Sequence, residues 1–84
     1  MKLYEYKTKY LSKLALHKPK NDREKQLKDH IINKLYPLRS MTLPYLLRTL
    51  YEIIEHEKDV STEFKDICRD MLRDVQKLES EESG

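Results

Sequence analysis

The stretch Thr42–His56, TLPYLLRTLYEIIEH, constrains the fold most, because its apolar residues recur at helical spacing. Leu43, Leu46, Leu47, Leu50, Ile53 and Ile54 follow the i, i+3, i+4, i+7 rule, which gathers them along one side of an α-helix. The stripe is wide enough to meet more than one neighbour, so this helix is expected at the centre of a helical core. Ser40 or Thr42 can cap its start, and Pro44 in the first turn loses no intrahelical hydrogen bond.

The flanking segments supply neighbours. Leu27, Ile31 and Leu35 form a stripe at i, i+4, i+8, supplemented by Ile32. Asn21 or Asp22 can cap that helix, Asn21 and Glu24 have the spacing of a capping box, and Tyr36-Pro37 closes it. Beyond the turn Lys58-Asp59-Val60, Ser61 is a credible N-cap for a last helix. Phe64, Cys68, Met71, Val75 and Leu78 give it an apolar seam that Ile67 and Leu72 widen.

The first segment fits two periods. Leu3, Tyr6, Tyr10 and Leu14 share a helical face, while Tyr4, Tyr6, Thr8 and Tyr10 alternate as in a strand. Helix is preferred, since Leu11–Leu16 continues at helical spacing and no second strand exists for the first to pair with. Pro19 ends this element. The expected fold is all-α, a small bundle of three to four helices over about 2–16, 22–36, 42–57 and 61–79, with a strand as the alternative for the first. Residues 1–78 are expected to form one helical domain and 79–84 a disordered acidic tail.

At 84 residues a folded domain hides only about 60% of the surface its unfolded chain exposes, which favours partners or self-association. The 64–78 seam could serve a homodimer. A single cysteine, Cys68, excludes an internal disulfide framework and fits a reducing compartment. The opening MKLYEYK is too polar for a signal peptide and no stretch reaches transmembrane length, so a cytoplasmic protein without membrane contact is expected.

No chemistry-bearing motif emerges. His17, His30 and His56 fall on different elements without a partner at i+3 or i+4, which suits surface histidines and no metal site. Cys68 on an apolar face reads as a small buried hydrophobe. Glu52, Glu55, Glu57, Asp59, Asp66, Asp70 and Asp74 read mostly as solvated helix faces with local ion pairs such as Asp66 with Arg69. The only glycine is Gly84, so phosphate-cradling loops and nucleophile elbows are missing. An enzyme is not expected, nor is a cofactor.

Charge is the remaining signal. Residues 1–42 hold 11 Lys or Arg against 4 Asp or Glu, and residues 43–84 hold 6 against 11. A basic half can attract nucleic acid, an acidic protein surface or the chain's own acidic half. Tyrosines interleave its lysines, and tyrosine suits protein interfaces because it covers apolar area while keeping a polar end in water. The leading expectation is a small regulatory protein, an inhibitor, adaptor or regulatory subunit. It would bind an acidic partner surface through Tyr4, Tyr6, Lys9, Tyr10, Lys13 and Lys28.

A second expectation comes from the run Ile31–Leu50, which resembles a helix-turn-helix, with Ser40-Met41-Thr42-Leu43 leading into the second helix. The resemblance implies nucleic-acid contact through the outward face, with Tyr45, Arg48 and Thr49 as candidate residues. Only Arg48 on that face is cationic, where a DNA reader usually shows more Arg, Lys, Asn or Gln.

Overall fold

The heptad-like and i+4 spacings resolve into four helices in a computed structural model, which describes residues 1–78. They are α1 (Leu3–Leu16), α2 (Asp22–Leu35), α3 (Leu43–His56) and α4 (Thr62–Val75). The chain is all-α, a small helical bundle with no strand among the described residues. The helical period wins in α1 because Tyr6, Tyr10 and Leu14, four residues apart, are all wholly buried. The expected acidic tail at 79–84 lies outside the described residues.

Sequential helices pack as neighbours and α1 closes against α4. Pairs across α1 and α4 run in opposite senses along the two helices. The Met1 amine donates to Lys77 O at 2.8 Å, Tyr6 Oη to Met71 O at 2.8 Å, and the His17 and Phe64 rings lie 5.6 Å apart. The bundle therefore has two ends. One holds the start of α1, the 36–42 corner and the end of α4, and is called the Tyr36 end below. The other, the His17 end, holds the loop between α1 and α2 and the turn between α3 and α4.

Helices α2 and α4 begin at the caps the sequence offers. The Asn21 side chain accepts from Glu24 N at 2.8 Å, and Ser61 Oγ accepts from Phe64 N at 3.2 Å. The capping box is only half made, because the Glu24 carboxylate goes elsewhere. At α3, Thr42 occupies the cap position without a side-chain cap bond, since its Oγ1 accepts from Arg39 N and donates to Arg39 O. Helix α4 stops at Val75, and the next residues close with i→i−3 bonds from Gln76 N, Lys77 N and Leu78 N.

The core draws Tyr6, Tyr10 and Leu14 from α1, Leu27, Ile31 and Leu35 from α2, Leu46, Leu50 and Ile53 from α3, and Phe64, Cys68 and Met71 from α4. Leu38, from the connection between α2 and α3, and Val60, from the turn between α3 and α4, join this core. Fully burying side chains of this kind stabilises by about 1.5–3 kcal/mol each before entropy is counted. Most of the seam expected to serve a homodimer packs inside the chain instead: Phe64, Cys68 and Met71 are wholly buried in its own core, and Val75 and Leu78 are partly buried against it.

Candidate docking surface

The residues expected to form a basic, tyrosine-rich surface divide sharply. Tyr6 and Tyr10 do not belong to it, since both are fully buried between α1 and α4. Their spacing marked the core stripe of α1, and each hydroxyl finds a partner inside, Tyr6 on Met71 O and Tyr10 on an Asp74 carboxylate oxygen. Burial, then the neighbouring Asp74, pushes both phenols well above the ordinary tyrosine range. Lys9 turns to the same carboxylate, 2.8 Å from Asp74 Oδ2, and its ammonium lies 5.2 Å from the Tyr10 ring centroid. Lys13 sits 5.5 Å over that ring. Lys28 donates to His17 O at 3.1 Å. Only Tyr4, 68% exposed, keeps its aromatic ring on the surface of α1.

Asp74 also departs from expectation. It is 1% exposed and not part of a solvated face. Lys9, then the Tyr10 hydroxyl, holds its carboxyl down to about 2 against the opposing effect of burial. Local pairs expected on α4 do form, Arg69 with Asp66 at 3.1 Å and Arg73 with Asp70 at 3.0 Å.

The His17 end is sealed by a second buried carboxylate. Glu24 has no exposed surface and accepts from Ser61 N, from Lys20 N at 3.0 Å and from His17 Nε2 at 2.6 Å. Burial raises its pKa, but the Ser61, His17 and Lys20 donors outweigh that and leave it lowered. His17 is thus no surface histidine, since its side chain is 5% exposed. Asn21 Nδ2 adds a bond to Asp59 O at 3.0 Å. One carboxylate ties the loop after α1 to the N-cap of α4.

These bonds explain much of the charge asymmetry. Lys9 meets Asp74, Lys20 meets Asp59 at 3.7 Å, and Arg23 makes two bonds to Glu57 at 3.0 and 2.7 Å. Part of the basic half is answered by the acidic half of the same chain.

Most of the exposed apolar side chains lie at the Tyr36 end. Of the six large apolar side chains left exposed, Tyr4, Tyr36, Met41 and Tyr45 are there, while Leu16 and Tyr51 are elsewhere. Tyr36 is 68%, Met41 85% and Tyr45 63% exposed. The corner that carries them is held firmly, since Arg39 O accepts from Thr42 N, Leu43 N and Thr42 Oγ1. Beside it, Asn33, Lys34, Pro37, Thr42 and Tyr45 line a notch of about 220 Å³. Two sequence signals could have found this corner. Tyr36, Met41 and Tyr45 fall off every apolar stripe, and from His30 to Tyr51 the chain has Lys34, Arg39 and Arg48 but no acidic residue.

The outward face of α3 holds the candidates for nucleic-acid contact. Tyr45 is exposed, but Thr49 Oγ1 donates to Tyr45 O at 3.1 Å and Arg48 Nε sits 3.6 Å from Glu52. A carboxylate next to the only cation of that face opposes phosphate binding. A polar groove of about 390 Å³ between α2 and α3 is lined by residues including Arg23, His30, Glu52 and Glu57. Cys68 is buried and its thiol is pushed up to about 12 by burial, which leaves little thiolate to react. Among the described residues no cluster of three or more His, Cys, Asp or Glu could hold a metal ion, and no helix is long and apolar enough to cross a membrane. Comparison with protein-family models, curated proteins and solved structures returns no match.

Proposed function

We propose that the chain is a small regulatory protein without catalytic activity, an inhibitor, adaptor or regulatory subunit, that docks on a protein partner through its Tyr36 end. One observation carries this reading. A well-tied corner without acidic residues of its own exposes Tyr36, Met41 and Tyr45 beside Lys34 and Arg39, although every one of those apolar groups would gain by being covered. The partner is an acidic protein surface with apolar groups of its own. Lys34 and Arg39 have no ion pair among the described residues, so their charges are available to it. The surface moves from the first helix, where the sequence suggested it, to the corner between α2 and α3, with Tyr4 retained. A buried, unreactive thiol is compatible with the cytoplasm as its place of work.

The test uses the full chain immobilised against lysate, with and without nuclease. A protein retained by the parent chain and by the Leu16→Ser control, but lost when Tyr36, Met41 and Tyr45 are changed together to Ser, supports the reading. Release by nuclease would favour the helix-turn-helix alternative instead. Retention by the triple variant would overturn the docking surface.

A further inference from the structure

Building on that docking surface, we propose that the notch beside Tyr45 reads a short acidic segment of the partner, seating one apolar side chain while a neighbouring carboxylate pairs with Lys34. Size points away from a metabolite. The notch holds about 220 Å³, below the roughly 300–1,000 Å³ of small-molecule pockets, and suits a single anchor side chain of the kind that dominates protein interfaces.

The walls fit such an anchor. Pro37 and Tyr45 offer ring surfaces, and Lys34 can lay its methylenes along the notch while its ammonium stays in water. Thr42 Oγ1 is already tied to Arg39 N and O, so its methyl is the group left to line the space. Asn33 supplies an amide at the rim. Charge sets the neighbour of the anchor, because Lys34 lines the notch and Arg39 lies in the same acid-free run, while Arg48 is already paired with Glu52. A carboxylate beside the anchor is therefore attracted, and a Lys or Arg there is repelled. The corner is fixed before binding by the three bonds to Arg39 O, which lowers the ordering cost of association.

The experiment pans a phage-displayed random peptide library on the full chain at physiological salt, then measures enriched synthetic peptides by fluorescence polarisation. The expected peptides carry Leu, Phe or Trp next to Asp or Glu. Tyr45→Ala and Lys34→Glu should each weaken them about tenfold or more, and Leu16→Ser should not. Replacing the peptide's acidic residue by Lys should restore affinity for Lys34→Glu, a charge exchange that loss of folding cannot mimic. Enriched peptides without acidic residues, or affinities unchanged in Tyr45→Ala and Lys34→Glu, would overturn the notch. So would self-association of the parent chain that Tyr45→Ala disperses, since a second copy would then be the occupant. If partner capture depends on Tyr36 and Met41 while the notch variants bind normally, docking at this end stands and the notch reading fails.

Discussion

Replacing Glu24 should cost this fold more than any other single polar change. Its carboxylate has no exposed surface and accepts three donors, from Ser61 N, Lys20 N and His17 Nε2. Glu24→Ala leaves two backbone N–H groups and an imidazole nitrogen without that acceptor. An unsatisfied buried donor costs about 1–3 kcal/mol. Lys20 lies near solvent and can recruit water, so roughly 3–4 kcal/mol in all is expected. Set against a total stability of about 0.05–0.15 kcal/mol per residue, that is a large fraction, and it should lower Tm by on the order of 12–32 °C. Glu24→Gln keeps the shape and one carbonyl acceptor but turns an NH2 toward donors, so a loss of about half that size is expected. Urea and thermal unfolding followed by circular dichroism give both values. The pH dependence adds a check. Because the folded pKa is lowered, the contribution is complete above the ordinary value of 4.5 and is lost as pH falls through the folded one. Glu24→Gln should flatten that acid limb. A Glu24→Ala variant within about 0.5 kcal/mol of the parent chain, the scatter of neutral surface changes, would refute the claim that this carboxylate holds the two loops together.

Other consequences follow from the α1–α4 interface. Lys9→Met should destabilise by about 1–2 kcal/mol, the shift of Asp74 from 3.8 to about 2 discounted for the solvent that reaches a 39% exposed Lys9. The parent chain's Asp74 contribution is present above pH 3.8 and lost as pH falls through about 2, a limb that acid titration should find reduced in Lys9→Met. Tyr6 and Tyr10 have raised pKa values, so their contribution is complete below 10.0 and is lost as pH rises above it. Ultraviolet difference absorbance should show two tyrosines ionising together with the loss of helical circular dichroism. Cys68 should react with a thiol reagent slowly in the native protein and rapidly in urea, and equal rates would show that it is accessible. Tyr36→Ser and Met41→Ser should each change unfolding free energy by no more than about 0.5 kcal/mol, because both side chains are already in water.

The sequence disclosed the helices better than their surroundings. Leu27, Ile31 and Leu35, or Leu46, Leu50 and Ile53, carry their burial in their spacing, because an apolar stripe has no other stable use in a small chain. Tyrosine does not disclose its environment in that way. Tyr6 and Tyr10 are buried and Tyr4 and Tyr36 exposed, and only the position of each on its helix separates them. Carboxylates hide their environment for a related reason. Glu24 and Asp74 are buried by donors that arrive from distant segments, Ser61 for one and Lys9 and Tyr10 for the other. Local spacing holds no trace of such partners. The exposed corner was legible in principle, since the acid-free run from His30 to Tyr51 stands out in a chain that is 38% charged.

The two ends of the bundle treat similar chemistry in opposite ways, and the contrast bears on function. At the His17 end the loops are tied together by side chains, with Glu24 accepting from Ser61 N and Asn21 donating to Asp59 O across 37 and 38 residues of the chain. Among the described residues no buried side-chain nitrogen or oxygen is left without a partner. At the Tyr36 end the backbone is equally well tied, through Arg39 O, yet Tyr36, Met41 and Tyr45 stay in water. Folding stability alone gives no reason for large apolar groups on a corner whose geometry is already fixed by its own hydrogen bonds. A partner does give one, since a rigid corner loses little entropy when it is covered and gains the burial that the monomer leaves unused.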